Sequence, residues 1–209
     1  GGRFGVLRFE SSGSTKRSWQ ISIEAGLDTV FDSQNKLDAI GWDGNYGLTF
    51  TPASASPLAL KVAVQHVSAH LGDEYQDRTG VHRLNYTREE VAFGAAWRFS
   101  PRWRGYGETG IAYREGNEEL EPWRVQVGIE YESKPNVWAG RFATYVAADF
   151  SSMEERLWRL DSTLQGGLVT RSNGRTMRLF LELRDGRPTM GEFYKFSETV
   201  ISIGLKIDL

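Results

Sequence analysis

Apolar and polar residues alternate with period two along almost the whole chain. In 123–131, Trp123, Val125, Val127, Ile129 and Tyr131 share one face, and Arg124, Gln126, Gly128 and Glu130 the other. In 177–184, Met177, Leu179, Leu181 and Leu183 oppose Arg178, Phe180, Glu182 and Arg184. The closing stretch sets Ile201, Ile203, Leu205, Ile207 and Leu209 against Ser202, Gly204, Lys206 and Asp208. Similar dyads run through 18–31, 45–51, 58–71, 89–99, 103–114, 137–150 and 157–169. Strand side chains point alternately to opposite faces, whereas an amphipathic helix repeats every 3.6 residues. No convincing helical run is present, so the pattern predicts an all-β chain of antiparallel hairpins forming one domain over 1–209.

The polar faces decide what kind of β protein this is. They mix Glu24, Lys61, Arg104, Glu108, Arg124, Glu130, Asp149, Asp161, Glu182 and Lys206 with Gly26, Gly47, Ala63, Gly94, Gly110 and Gly128. Charges of both signs among small residues suit a crowded polar interior. Trp19, Trp97, Trp103, Trp123, Trp138 and Trp158 sit near strand ends on the apolar side, like an interfacial girdle. A transmembrane β-barrel turns its apolar face to lipid and packs a polar lumen, which inverts a soluble sandwich. The expectation is therefore an outer-membrane barrel with a meander topology and a lumen filled by charged pairs, rather than a lipocalin-like or sandwich fold.

Connections "TPASASP" (51–57), "SPR" (100–102), "SKPN" (133–136) and "RSNGR" (171–175) read as turns, with longer loops at 72–85, 115–121, 150–156 and 185–193. Short periplasmic turns and long outer loops then place 32–44 and 72–83 outside. Eleven strands are expected, the first over 4–10. An odd count that starts outside predicts one further strand upstream of Gly1, giving about twelve.

Composition narrows the chemistry. The 209 residues carry a formal charge of −2, which suggests no nucleic-acid partner. There is no cysteine, which excludes disulfides and thiolate metal sites. No window approaches the ~18 apolar residues of a membrane helix. Outer-membrane lipids, lipopolysaccharide included, are the expected partners.

All three histidines fall within "QHVSAHLGDEYQDRTGVH" (65–82). On the 58–71 strand His66, Ser68 and His70 share a face with Leu60, Val62 and Val64, while Lys61 and Gln65 face the lumen. The line thus looks toward the outer lipid rim, where polar groups are costly unless paired or used. Serine becomes a nucleophile when an imidazole takes its proton and a third group orients that imidazole. Ser68 is the candidate nucleophile, His66 the base, Glu89 or Asn85 from the next strand the orienting group, and His70 an auxiliary. Backbone amides around Gly72 are candidate oxyanion donors. Against this stands an ordinary interfacial rim with no chemistry. A second reading groups Asp73, Glu74 and Asp77 with His66, His70 and His82 as metal ligands, a nitrogen and carboxylate set that suits zinc or a calcium-type site. No organic cofactor is expected. The competing class is a non-enzymatic barrel, either a narrow channel or a structural protein that binds partners through its outer loops.

"HVSAHLGDE" (66–74) resembles a stretch of the Gram-negative outer-membrane domain-of-unknown-function family twelve-oh-seven. "RLNYTREE" (83–90), "EPWRVQVGIEY" (121–131), "LELRDGRPTMGEFY" (181–194) and "ISIGLKIDL" (201–209) continue the likeness, which implies no activity. The His-x-Ser pair is also similar to that of lipid A 3-O-deacylase and outer-membrane phospholipase A barrels. Their third member, a glutamate or asparagine, comes from a following strand. That resemblance implies a lipid ester hydrolase with Glu89 or Asn85 in the third role. Two departures stand out: those enzymes have asparagine directly after the serine, where this chain has Ala69, and His70 has no counterpart in them.

Overall fold

A computed structural model describes residues 1–10, 18–53, 57–115 and 121–208. They form one antiparallel sheet of eleven strands, each hydrogen-bonded to its neighbours in sequence. The strands are β1 (Gly2–Glu10), β2 (Ser18–Asp32), β3 (Asp38–Ala53), β4 (Leu58–Leu71), β5 (Thr87–Trp97) and β6 (Trp103–Glu115). They continue as β7 (Trp123–Glu132), β8 (Ala143–Met153), β9 (Leu160–Ser172), β10 (Arg175–Gly186) and β11 (Glu198–Asp208). The all-β meander and the strand count agree with the sequence pattern. Closure does not follow: among the described residues β1 pairs only with β2 and β11 only with β10. The two edges run in the same direction, so they cannot join each other in an antiparallel ladder.

Local chemistry explains where strands end. β9 and β10 are joined by Asn173 and Gly174, both with positive φ, the two-residue turn that matches strand twist. The strand expected over 137–150 begins later, at Ala143. Trp138, Ala139 and Gly140 are all left-handed, and Val137 bridges to Phe142 as a tight turn instead. The helix-free reading misses α1 (Asp73–Thr79), which is too short to show a period and ends on Gly80 at φ 70°. The predicted turn over 51–57, the loop over 115–121 and Leu209 lie partly or wholly outside the described residues.

Alternation sorts the side chains as expected. Val127 (55% exposed), Leu181, Ile201 and Ile203 (76%) stand outward, while Ala63, Thr49, Arg88, Glu90 and Ala92 are buried on the concave side. At the turn end Phe9 stacks on Trp19 and Phe99 on Trp103. The concave interior is a mesh of charges. Arg124 donates to Glu90 (2.6 Å) and Glu108 (2.5 Å), Lys61 pairs with Glu108 (2.5 Å) and Arg88 with Glu90 (3.1 Å). Tyr106 and Gln126 both donate to Asp149. Gly110 and Gly128 make room for this mesh. A Cβ at Gly110 would collide with the Glu90 carboxylate, and one at Gly128 with the Tyr106 ring.

At the loop end the β10–β11 connection folds inward as a plug. Glu192, nearly fully buried, accepts hydrogen bonds from the backbone N–H groups of Leu84 (2.7 Å) and Tyr86 (3.3 Å). Gly191 N–H donates to Asp43 (2.7 Å). Tyr194 packs on Tyr86 and Ala69, and Arg156 reaches the Phe196 carbonyl. Burial pushes the Tyr86 phenol well above its ordinary range, so it donates as a neutral hydroxyl to Glu155 (3.0 Å). Glu192→Ala strands both amides and removes a charge-assisted acceptor. It should cost about 2–3 kcal/mol, measured by chemical denaturation, and speed amide exchange in 187–197. Unchanged exchange there would show that the plug is held by something else.

Candidate functional site

The outward face of β4 carries the site, and its register is set by β3 and β5. Leu60, Val62, Val64, His66, Ser68 and His70 alternate against Lys61, Ala63, Gln65, Val67 and Ala69, whose side chains face the interior. His66 lies directly between Tyr46 on β3 and Glu89 on β5. Its ring stacks on Tyr46, with centroids 4.6 Å apart, and its Nδ1 faces Glu89 Oε1 at 3.7 Å. That distance is an ion-pair approach rather than a hydrogen bond. With Nδ1 turned to the carboxylate, Nε2 is the nitrogen left to take a proton.

Glu89 has further partners. Tyr113 donates its hydroxyl to Glu89 Oε2 at 3.0 Å, and Arg114 approaches Oε1 at 3.9 Å. A bulge makes this possible. Glu89 pairs with Arg114 and Glu90 with Ala112, so Tyr113 is the extra residue. Bulges re-aim side chains in this way. Ser68 sits between Gly44 and Thr87 in the ladder. Because Gly44 has no side chain, the Trp42 ring folds over it, and a Cβ there would lie 3.1 Å from that ring and 3.9 Å from Ser68 Oγ. Among the described residues no hydrogen bond joins Ser68 to His66. A groove of about 400 Å³, lined by Ile23, Leu48, Val64, Tyr46, Tyr113 and His66, runs along the outward face from the imidazole.

The structure brings His66 and Glu89 together, sets Ser68 two positions further along the same face of β4 without a hydrogen bond to His66, and leaves the other candidates apart. His70 packs on Trp42 in a tilted contact, centroids 4.1 Å apart, one further step along the strand. Asn85 is exposed, left-handed (φ 55°) and ahead of β5, outside the ladder that faces His66. The Gly72 amide donates to the Ile40 carbonyl (2.8 Å), so it is committed and is no oxyanion donor. Asp73, Glu74 and Asp77 fall on α1, where Asp73 is paired with Arg83. Among the described residues no three histidine or acidic side chains converge on a cation position.

Sequence reasoning missed Tyr46, Tyr113 and Arg114. Tyr46 stands on the outward face of β3 and is reachable once the β3–β4 register is known. Tyr113 depends on the bulge, for which the local sequence holds no signal.

No curated protein and no solved structure matches the chain at a significant level. One family model does, over residues 1–208, which is nearly its whole length. The chain therefore belongs to the family described as Protein of unknown function (DUF1207).

Proposed function

We propose that this chain spans the bacterial outer membrane as a β-barrel and hydrolyses lipid esters, of phospholipid or lipid A, at the outer leaflet. The membrane reading is supported by the outward face. It is a continuous apolar band, far beyond the few hundred Å² a soluble monomer ordinarily exposes. The described strands between the two edges, 10–16 residues long, are also long enough to supply the 9–11 or so residues that a tilted strand needs to cross a bilayer. Since β1 and β11 run in the same direction, one further antiparallel strand would close the barrel, and we assign it to a segment preceding Gly1. Amide exchange along both edges as fast as in the loops would contradict that strand.

The hydrolase reading rests on one observation: an imidazole and a carboxylate face each other across strands on a face otherwise given to apolar side chains. In the reaction Ser68 Oγ attacks the ester carbonyl carbon while His66 Nε2 takes its proton. Glu89 holds the imidazole by Nδ1 and stabilises the cation formed. The tetrahedral intermediate collapses, the alcohol leaves with the proton from His66, and water then releases the acyl group from Ser68 by the same relay. The groove beside His66 would hold the acyl chain.

The test is fatty-acid release from phospholipid and lipid A vesicles by the full-length protein, with Ser68→Ala as control. A protein that stays in solution without detergent sinks the membrane reading. One that inserts but releases nothing sinks the hydrolase reading. The second reading, a structural non-conducting barrel, is favoured by the missing Ser68–His66 hydrogen bond and by the plug over the interior.

A further inference from the structure

The interior has a different character at the turn end, opposite the plug. There a cavity of about 720 Å³ opens between β6–β11 and the β5–β6 turn. Its wall carries Arg98, Arg102, Arg104, Arg171, Arg178 and Lys206, against only Glu130, Glu132 and Asp208. The three carboxylates are engaged: Glu130 by Arg104 (2.9 Å), Glu132 by both terminal guanidinium nitrogens of Arg171, and Asp208 by Arg178 (2.5 Å) and, at 3.8 Å, by Lys206. Arg98 and Arg102, on the turn, have no carboxylate partner among the described residues. Positive charge is thus in surplus at the mouth.

One side of the wall is aromatic. Tyr145 meets Phe180 edge-on at 6.4 Å, in a cluster with Ala143, Ala147 and Val169. An aromatic patch inside a polar barrel is not needed to balance charge, and it lies beside the basic mouth rather than apart from it. The Arg124–Glu90–Glu108 mesh and the plug lie beyond, toward the loop end. The space is a well with a cationic rim and an apolar wall, of a size suited to one small ligand, and barrel mouths are frequent sites for such ligands.

We propose that this well binds an amphiphilic organic anion. Its acid group sits among Arg98, Arg102 and Lys206 at the rim, and its apolar body lies against Tyr145 and Phe180. Guanidinium forks favour phosphate and carboxylate oxygens through paired donors. The anion could be a soluble metabolite or the headgroup of an anionic lipid whose first acyl carbons enter the well.

The probe is 2-naphthyl phosphate, titrated calorimetrically against the full-length protein in phosphatidylcholine nanodiscs, with neutral 2-naphthyl glucoside alongside. Saturable binding of the phosphate alone is expected. Arg98→Glu/Arg102→Glu, two exposed turn positions, should weaken it about tenfold or more with unchanged circular dichroism. A second arm adds phosphatidylglycerol to the discs. Loss of naphthyl phosphate binding there identifies a lipid headgroup as the natural occupant, and unchanged binding identifies a soluble anion. Equal binding of the neutral probe, no saturable binding, or indifference to the double charge reversal would overturn the proposal. The outcome is independent of whether Ser68 hydrolyses anything.

Discussion

Ser68→Ala and His66→Ala should each lower fatty-acid release about 10⁴-fold or more, and Glu89→Gln only about 10²-fold. The first two remove the nucleophile and its base; His70, the other imidazole near Ser68, packs against Trp42 and has no carboxylate partner among the described residues. Glu89 differs because its hold on His66 is loose. It stands 3.7 Å from Nδ1 and shares its oxygens with Tyr113 and Arg114. A fully buried orienting carboxylate contributes about 10⁴ through tautomer and orientation. A partly solvated one held partly by others contributes less. Tyr113→Phe frees one carboxylate oxygen and should change the rate less than Glu89→Gln does. Substrate binding must tighten the His66–Glu89 approach to about 2.6–3.2 Å for the relay to run. If Glu89→Gln were as damaging as Ser68→Ala, the carboxylate would be acting directly on substrate. If Ser68→Ala retained full activity, another group would be the nucleophile.

The period-two pattern was enough to sort interior from exterior because each strand has one charged face and one apolar face. His66 and Ser68 could therefore be placed outward, and Glu89 on the neighbouring outward position, before any register was known. What alternation does not carry is register irregularity and contact between distant loops. The β5–β6 bulge shifts Tyr113 onto Glu89 with no local marker, since "GIAYRE" alternates about as well with the bulge as without it. The plug depends on Glu192 meeting amides more than a hundred residues away, at Leu84 and Tyr86. In sequence "RPTMGEFYKF" reads as an ordinary polar-aromatic loop. Clustered acids suggested a cation site at Asp73, Glu74 and Asp77, but counting residues cannot reveal that Arg83 already neutralises Asp73. The basic well escaped notice for a related reason. Its cations come from several strands and a turn, and they converge only when the sheet curls.

The interior mesh gives the largest expected loss of stability. Arg124→Met should destabilise the fold by about 3–5 kcal/mol, read as a shift in denaturant midpoint in detergent micelles. Arg124 lies between Glu90 and Glu108 and donates to both, with Nε and Nη2 on Glu90 and Nη2 on Glu108. Methionine keeps the aliphatic bulk but leaves two carboxylates facing each other, relieved only by Arg88 and Lys61. Glu90 is nearly fully buried, so water cannot take over its solvation. The magnitude should separate this pair from its neighbour nearer the mouth. Arg104–Glu130 is 35% and 44% exposed, and its removal should cost less than about 1 kcal/mol. Adding Glu108→Gln to Arg124→Met removes one of the stranded charges, so a coupling of about 1–3 kcal/mol should return. A single-variant cost below 1 kcal/mol would mean that water reaches Glu90 and Glu108. The centre would then be a hydrated passage rather than a packed partition, and the well at the turn end would lose its floor.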